Sequence, residues 1–434
     1  MKETKIVVIG YGTAGITAVG YAKRTNRVAE IHVIETRDYA IYHPCSIPDA
    51  VAGLLSWDNM VEEAPKMTKF NIHLNCRAEE IDVDDKKVKT RNLKTGETIS
   101  LDYDKLIIAT GSIPLVPRRI SGVTLEGVYP VKVVEDGMKI AKACEKGKRV
   151  VVVGAGAIGI EMAVALKLRG LDVTIVELMP QCMPGKLDPE IARLIEKELR
   201  NRGIKLILGK GVEAFEGKDK VEKVIAGGEE IETDFAVLAI GVRPNVELAK
   251  QIGLELGKFG GIKVNSRMET NIPDVYAAGD CAETVNLITG KPILAPFASV
   301  AFKQGRVAGI NAAGGKAELK GVVVNWVIST EWFKFGAVGL THEMAKAEGF
   351  NPVSAVTRTC AWSCIYPNPV EVVIKLTADK ETHRLLGAQM FGHENIAYML
   401  DVFSLALYNS LRVEDLLELE TAYAPTVSTI CLLY

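Results

Sequence analysis

The chain has no apolar stretch of roughly 18 residues uninterrupted by glycine or charge, so no membrane-spanning helix is expected. None of its eight cysteines, at positions 45, 76, 144, 182, 281, 360, 364 and 431, forms a CxxC pair. Cys360 and Cys364 are four apart, and no cysteine or histidine cluster has structural-zinc spacing, so no metal site is expected. A charge excess is missing too. Lys and Arg number 52 against 54 Asp and Glu, a formal net charge of −2, which points to neither a nucleic acid nor a membrane surface as partner. Met1 runs into a strand-like segment within a few residues, leaving no room for a signal peptide. Together these absences predict a cytoplasmic protein in a reducing compartment, with most of its thiols small, buried and inert.

What is abundant is apolar residues and glycine: 48% and 39 residues in a chain of 434. That length supports two or three α/β domains with substantial cores. Two glycine-rich patterns stand out. Gly10-Tyr11-Gly12-Thr13-Ala14-Gly15 follows the apolar run Ile6 to Ile9, and Gly154-Ala155-Gly156-Ala157-Ile158-Gly159 follows Val150 to Val153. Each reads as strand, tight turn and helix start, in which the glycines let backbone approach a pyrophosphate at a helix N-terminus. An acid closes each unit. Glu35 lies 20 residues after Gly15 and Glu177 lies 18 after Gly159, both at strand ends where a carboxylate can accept from ribose hydroxyls. Two such units predict two dinucleotides bound by one chain.

The rest of the chain repeats this plan. A polar hairpin region, Glu79 to Leu101, precedes the buried strand Lys105 to Ile108 and the small-residue turn Ala109-Thr110-Gly111. The second unit closes on a similar run, Phe235 to Gly241. Val275 to Ala278 then reads as a strand ending in Gly279-Asp280, and residues 296–313 as a helix packed closely on something flat. Beyond Gly321 the aromatics increase, strand-like runs alternate, and two helical stretches follow near Asn395–Leu411 and Val413–Glu418, predicting a third, α+β domain.

With these motifs in place, the whole chain resembles the flavin-dependent pyridine-nucleotide disulfide oxidoreductase superfamily. It is most similar to the single-cysteine branch: coenzyme A disulfide reductases, NADH-dependent persulfide and polysulfide reductases, NADH oxidases and NADH peroxidases. The resemblance implies two Rossmann-like domains, for FAD (1–118 and 245–320) and NAD (119–244), with a C-terminal dimerisation domain (321–434) making a homodimer. It implies that Gly10, Gly12, Thr13, Ala14, Gly15, Glu35, Thr36, Arg37, Cys45, Ala78, Ala109, Thr110, Gly111, Gly279, Asp280, Phe297 and Ala298 surround FAD. Gly154, Gly156, Ile158, Gly159, Glu161, Glu177 and Gly241 would hold the nicotinamide cofactor. Leu178, Met179 and Pro180 follow Glu177 with no adjacent cation, so NADH is expected over NADPH.

The branch is indicated by Cys45, in His43-Pro44-Cys45-Ser46-Ile47-Pro48. Pro48 suits a first helical turn, and a helix N-terminus favours a nucleophilic thiolate. The dithiol branch carries a second cysteine where this chain has Ala50, so reduction is expected to pass through a mixed disulfide, a persulfide or a sulfenate on Cys45. His43 reads equally as a nearby base or as a solvated loop histidine. Tyr366-Pro367 and Tyr423-Ala424-Pro425 resemble family motifs whose tyrosines reach the other subunit's active site, with packing in a dimer interface as the alternative. Thr17, Tyr21 and Arg24, with Lys23, lie where relatives contact coenzyme A, though Lys23 and Arg24 also suit a helix end. Cys431 invites comparison with the tail cysteines of metal-ion reductases, but those come as an adjacent pair.

Some positions depart from the pattern. A Ser-x-x-Asn pair common before the cysteine is replaced by Ile41 and Pro44, which weakens coenzyme A disulfide as the specific substrate. Thr13 stands where peroxidases and many oxidases have histidine, and Ala157 where a flavin-screening tyrosine is frequent. The expected activity is NADH-dependent reduction of persulfides, polysulfides or small disulfides, with coenzyme A as possible substrate or mixed disulfide. Two alternatives stay open: an NADH oxidase working through a Cys45 sulfenate, and an electron-transfer module serving a rubredoxin or ferredoxin.

Overall fold

The computed structural model describes residues 3–63, 70–394 and 396–428 of a mixed α/β protein; Asn395 and Cys431 lie outside the described residues. The chain divides into two compact units. The first comprises residues 1–44, 57–113 and 242–322, the second 45–56, 114–241 and 323–434.

The first unit is built on a wholly parallel sheet in the order Val275–Ala277, Lys105–Ile108, Lys5–Ile9, Glu30–Ile34, Asn71–His73. Ile6 and Val8 join one core and Val7 and Ile9 another, because successive side chains leave opposite faces of a sheet covered on both sides. Helix Thr13–Thr25 follows the first fingerprint and packs on helix Ala298–Ala312. A methyl group added at Gly305 or Gly309 would overlap the carbonyls of Ala14 and Ala18, which explains the small residues of that second helix. The polar hairpin region is an antiparallel meander of Cys76–Asp82, Lys87–Asn92 and Thr98–Asp102.

The second unit repeats the parallel order: Val128–Pro130, Phe235–Leu238, Arg149–Val153, Asp172–Glu177, Lys205–Leu208. Helix Ala157–Leu168 follows its fingerprint, and the short helix Ile47–Ala52 packs against it. The same unit holds five antiparallel strands in the order Asn325–Ser329, Lys334–Gly339, Leu385–Gly392, Glu371–Asp379, Pro352–Cys360. Every residue of Leu385–Gly392 is buried, with helices Ala397–Tyr408 and Pro189–Asn201 both packing against that strand. Buried Lys375 joins this sheet to the helix start at Asp188, lying 3.0 Å from Asp188 and 2.8 Å from Glu190. Such a pair specifies a fit more than it adds stability, since removing one partner strands a buried charge.

The cysteines divide sharply. Cys76, Cys182 and Cys281 are buried and Cys45 is an exposed thiol. Cys360 and Cys364 correct the expectation of inert thiols: they form a disulfide, and Cys364 is exposed. Weighing their spacing only against zinc and CxxC patterns misses this. A strand end running into a turn brings the two Cα atoms to 5.8 Å, within bonding range. Among the described residues, no helix is long and apolar enough to cross a membrane.

Candidate active site

In the first unit the fingerprint, the Ala109-Thr110-Gly111 turn and Gly279-Asp280 stand side by side at the carboxyl ends of three adjacent parallel strands. In an open α/β sheet this is where ligands bind. Ala109 donates its N–H to Ile9 O, and Ala278 to Ile108 O. Gly10 has φ +96°, and a Cβ there would overlap the Ala109 carbonyl; a Cβ on Gly15 would overlap Gly10 O. Gly12 has nothing within 4 Å of its Cβ position. The outer glycines are therefore demanded by packing, while the middle one faces open space over the helix N-terminus.

Glu35 is 5% exposed and does more than await a ribose. It accepts from the Tyr11 N–H at 2.9 Å and from Arg37 Nη2 at 2.6 Å, so it clamps the glycine turn to the next strand. Burial pushes its carboxyl up, but Arg37 and the backbone N–H groups hold it below the ordinary range. Thr36 Oγ1 also donates to Glu35, at 3.2 Å. Arg37 Nη1 is buried with no hydrogen-bond partner among the described residues, a donor aimed at nothing in the protein. Asp280 accepts from Ser112 at 2.7 Å, and the Gly279 N–H donates to fully buried Gln304. Sequence reasoning missed both Ser112 and Gln304, which carry no motif of their own. Ala78 is buried in the meander, and Phe297-Ala298 open the helix that meets Ala14.

The second unit reproduces the device. Glu177 accepts from Ala155 N–H at 2.7 Å and Met179 N–H at 2.9 Å. Gly154 has φ +104° against the Ala239 carbonyl, Gly159 abuts Gly154 O, and Gly156 again faces open space. Ile158 lies in the first turn of the helix, and Gly241, φ +105°, accepts from Leu115 N–H.

Cys45 lies in a 3₁₀ turn, Pro44–Ser46, just ahead of helix Ile47–Ala52, with Pro48 in its first turn. It lines a cleft with Pro48, Asp49, Glu161, Ser329 and Glu331. The structure thus joins the cysteine to Glu161 of the second fingerprint helix, and adds Asp49 and Glu331, which the sequence reading did not single out. Burial, and secondarily the charge of Asp49, pushes the Glu161 carboxyl up to about 8. Burial and then Glu331 push Asp49 up as well. The Cys45 cleft therefore favours the protonated form of Glu161. His43 is exposed and paired with Glu62 at 2.7 Å, as a solvated loop histidine would be.

Tyr366 and Tyr423 are 36% and 50% exposed. Their segments meet: Ser363 N–H donates to Pro425 O at 3.0 Å, and Tyr366 N–H to Ser363 O at 3.3 Å. On the first helix, the Arg24 guanidinium lies 5.1 Å from the Tyr21 ring centroid, and Tyr21 meets Phe302 edge-on. Phe302 is a further missed residue, an exposed ring on a largely buried helix. Thr17 Oγ1 donates to Thr13 O, and Lys23 Nζ to Ala29 O at 2.6 Å.

A family model described as pyridine nucleotide-disulphide oxidoreductase matches residues 4–305, and the dimerisation domain of that family matches 326–431. The chain belongs to this family. It is 39% identical over 98% of its length to an NADH oxidase of Methanocaldococcus jannaschii, covering 96% of that protein. It is 35% identical over 98% of its length to a CoA-dependent NAD(P)H sulfur oxidoreductase of Pyrococcus furiosus, again covering 96%. Among solved structures it superposes on an NAD-dependent persulfide reductase from A. fulgidus with TM-score 0.95 and 35% identity, covering 99% of this chain and 81% of that one.

As a pyridine nucleotide-disulphide oxidoreductase the chain is an NAD(P)H-dependent flavin enzyme with a dimerisation domain, and membership implies FAD and NAD(H). The residues present fit both. Each fingerprint keeps the space beside its middle glycine clear. Each acid sits at the end of the following strand. The orphaned Arg37 Nη1 supplies a buried donor on the first site. When bound, FAD supplies a two-electron store between nicotinamide and sulfur. The residues that would hold the two diphosphates are the fingerprint turns at the two helix N-termini.

Proposed function

We propose that this chain is an NADH-dependent FAD enzyme that reduces persulfides, polysulfides or small disulfides, those of coenzyme A included, through Cys45. The observation that carries the reading is the cleft in which an exposed thiol shares a wall with the Glu161 carboxyl, whose burial favours its protonated form. Reduction of a divalent sulfur needs a thiolate to attack it and a proton for the sulfur that leaves. Cys45 supplies the first. Glu161 supports the second, with the partner subunit's Tyr366 and Tyr423 as further donors in a homodimer. The Tyr21–Arg24–Phe302 cluster offers rings and a cation to an adenine and its phosphates, which favours coenzyme A as the carrier. We assign residues 1–118 and 245–320 to FAD, 119–244 to NADH and 321–434 to dimerisation, in a cytoplasmic enzyme that draws on the NADH pool there. A second reading, an NADH oxidase acting through a Cys45 sulfenate, is favoured by the name of the Methanocaldococcus relative.

The test is a steady-state comparison of coenzyme A persulfide, polysulfide, coenzyme A disulfide and oxygen with one preparation. The proposal expects a sulfur acceptor to lead in kcat/KM; oxygen ahead of all three overturns it in favour of the oxidase.

Two further outcomes follow from the site. Sulfur turnover is expected to fall as pH rises through about 8, because Glu161 then loses its proton and adds a further negative charge beside Asp49 and the thiolate. Glu161→Gln is expected to abolish that alkaline limb and to slow the reaction by roughly 10²-fold, the usual share of one positioned proton donor. An unchanged limb in the variant removes Glu161 from the proposal. Glu177→Ala is expected to narrow the preference of kcat/KM for NADH over NADPH, since the carboxylate repels a 2′-phosphate. Equal use of both coenzymes by the unaltered protein contradicts this role.

A further inference from the structure

We infer that the Cys360–Cys364 disulfide is a second thiol–disulfide exchange site, reduced to a dithiol by small thiols and re-formed by small disulfides or polysulfides. The bridge closes a ring of Cys360-Ala361-Trp362-Ser363-Cys364 at the end of Pro352–Cys360, the outermost strand of its sheet. A ring this small removes less chain entropy from the unfolded state than a long loop would, so the bond is a comparatively weak staple. The Cys364 side is uncovered in the single chain, and a disulfide that a thiol can reach is one it can reduce. The contrast within the chain is direct. Burial pushes the thiols of Cys76 and Cys281 up, that of Cys182 to about 12 and that of Cys144 to about 11, which suppresses their thiolates. Among the described cysteines, the only pair that is bridged is the one at this exposed edge.

The ring also holds something. Ser363, inside it, donates its N–H to Pro425 O at 3.0 Å and accepts from Tyr366 N–H at 3.3 Å. The loop carrying Tyr366 and the tail carrying Tyr423 are thus both fastened at the ring. Cys45 of the same chain is not the exchange partner. Ser329 to Glu331, which line its cleft, end the strand at the opposite edge of the five-stranded sheet. Four strand spacings, about 19 Å, separate the two edges. The reductant we propose is a small thiol.

The exchange balances without a further co-reactant. A thiolate RS⁻ attacks Cys364 Sγ; the new S–S bond forms as Sγ360–Sγ364 breaks, and the electron pair leaves on Cys360, which takes a proton from water. A second thiolate attacks the R-group sulfur, releasing RSSR and the Cys364 thiolate, which is protonated in turn. Two thiols are oxidised and one protein disulfide is reduced. The reverse sequence, with RSSR as oxidant, closes the ring. Thiols and disulfides of this kind are the species in the proposed activity, and only the link to turnover rests on that reading.

The experiment uses the intact FAD-loaded protein. It is equilibrated anaerobically across reduced and oxidised glutathione mixtures, quenched with an alkylating reagent, and analysed by peptide mass. Cys360 and Cys364 are expected to gain two alkyl groups together as the mixture becomes reducing, while Cys182 and Cys281 stay unlabelled, and to lose both when oxidised glutathione is restored. Limited proteolysis beyond residue 418 is expected to speed up roughly tenfold on reduction, as a released segment opens locally. A Cys360→Ala/Cys364→Ala protein is expected to show the faster cleavage under all conditions. A bridge reduced only on denaturation overturns the proposal, as does a pair found as two thiols in every mixture. Sulfur turnover is assayed on the same samples. Its absence with a normal labelling curve defeats the proposed activity and leaves the exchange site standing.

Discussion

Cys45→Ser is expected to keep its FAD and to accept hydride from NADH at nearly the normal rate, yet to lose sulfur turnover by several orders of magnitude. On the proposed assignment neither FAD binding nor its reduction needs the thiol, because the diphosphates are assigned to Gly10–Gly15 and Gly154–Gly159. The sulfur half-reaction does need it. A serine hydroxyl at its ordinary pKa is not ionised near neutrality and is no substitute for a thiolate attacking divalent sulfur. The surrounding geometry should survive, since Cys45 sits exposed in a turn and Ser differs by one atom. Rapid mixing separates the halves: flavin bleaching by NADH, then recovery of the oxidised spectrum on adding polysulfide or coenzyme A persulfide. Retained oxygen consumption in the variant reflects reduced flavin alone and is compatible with the reductase. Equal loss of water-forming oxidase activity and sulfur reduction keeps the oxidase reading alive. Full sulfur turnover in Cys45→Ser overturns the mechanism and turns attention to an electron-transfer module feeding a protein partner.

The sequence made the two dinucleotide units legible because their chemistry is local. A strand, three glycines, a helix and an acid fall within one short segment, and the packing reasons for the outer glycines are the same in both copies. The acids could be singled out by their place at strand ends, but not as clamps. That Glu35 and Glu177 each take the N–H of the residue after the first glycine emerges only when strand and turn are seen together. Cys45 was readable from its proline-flanked setting. Its cleft was not, because Asp49, Glu161 and Glu331 come from three distant segments and none is unusual for a helix or loop. The upward shift of Glu161 is a product of that convergence. The Cys360–Cys364 bridge was hidden for a related reason. Spacing alone does not distinguish two thiols from a bridge; the strand end and turn that bring the Cα atoms together do.

Gly12→Val is expected to give a folded, colourless protein. The residue has φ −78° and ψ −168°, ordinary extended backbone for valine, and no atom lies within 4 Å of the added Cβ. The protein alone therefore tolerates the side chain. The space it fills is where backbone N–H groups must meet the FAD diphosphate, and losing two charge-assisted hydrogen bonds there costs roughly 3 kcal/mol or more, about a hundredfold in affinity. The neighbouring position provides the contrast. Gly10→Val places a side chain at φ +96° against the Ala109 carbonyl and is expected to damage the fold itself. The second fingerprint provides the other. Gly156 has φ −78° and an equally open Cβ position. Gly156→Val should therefore remain yellow, bind NADH poorly and be bleached by it only at much higher concentration, while dithionite still reduces its flavin. Circular dichroism establishes folding in each case, and flavin absorbance per chain establishes loading. A folded Gly12→Val protein with a full complement of FAD would show that the diphosphate lies elsewhere. A Gly156→Val protein that lost FAD while keeping its response to NADH would reverse the assignment of the two fingerprints. The expected separation is sharp because the space beside each middle glycine is open, whereas each outer glycine is kept small by the chain around it.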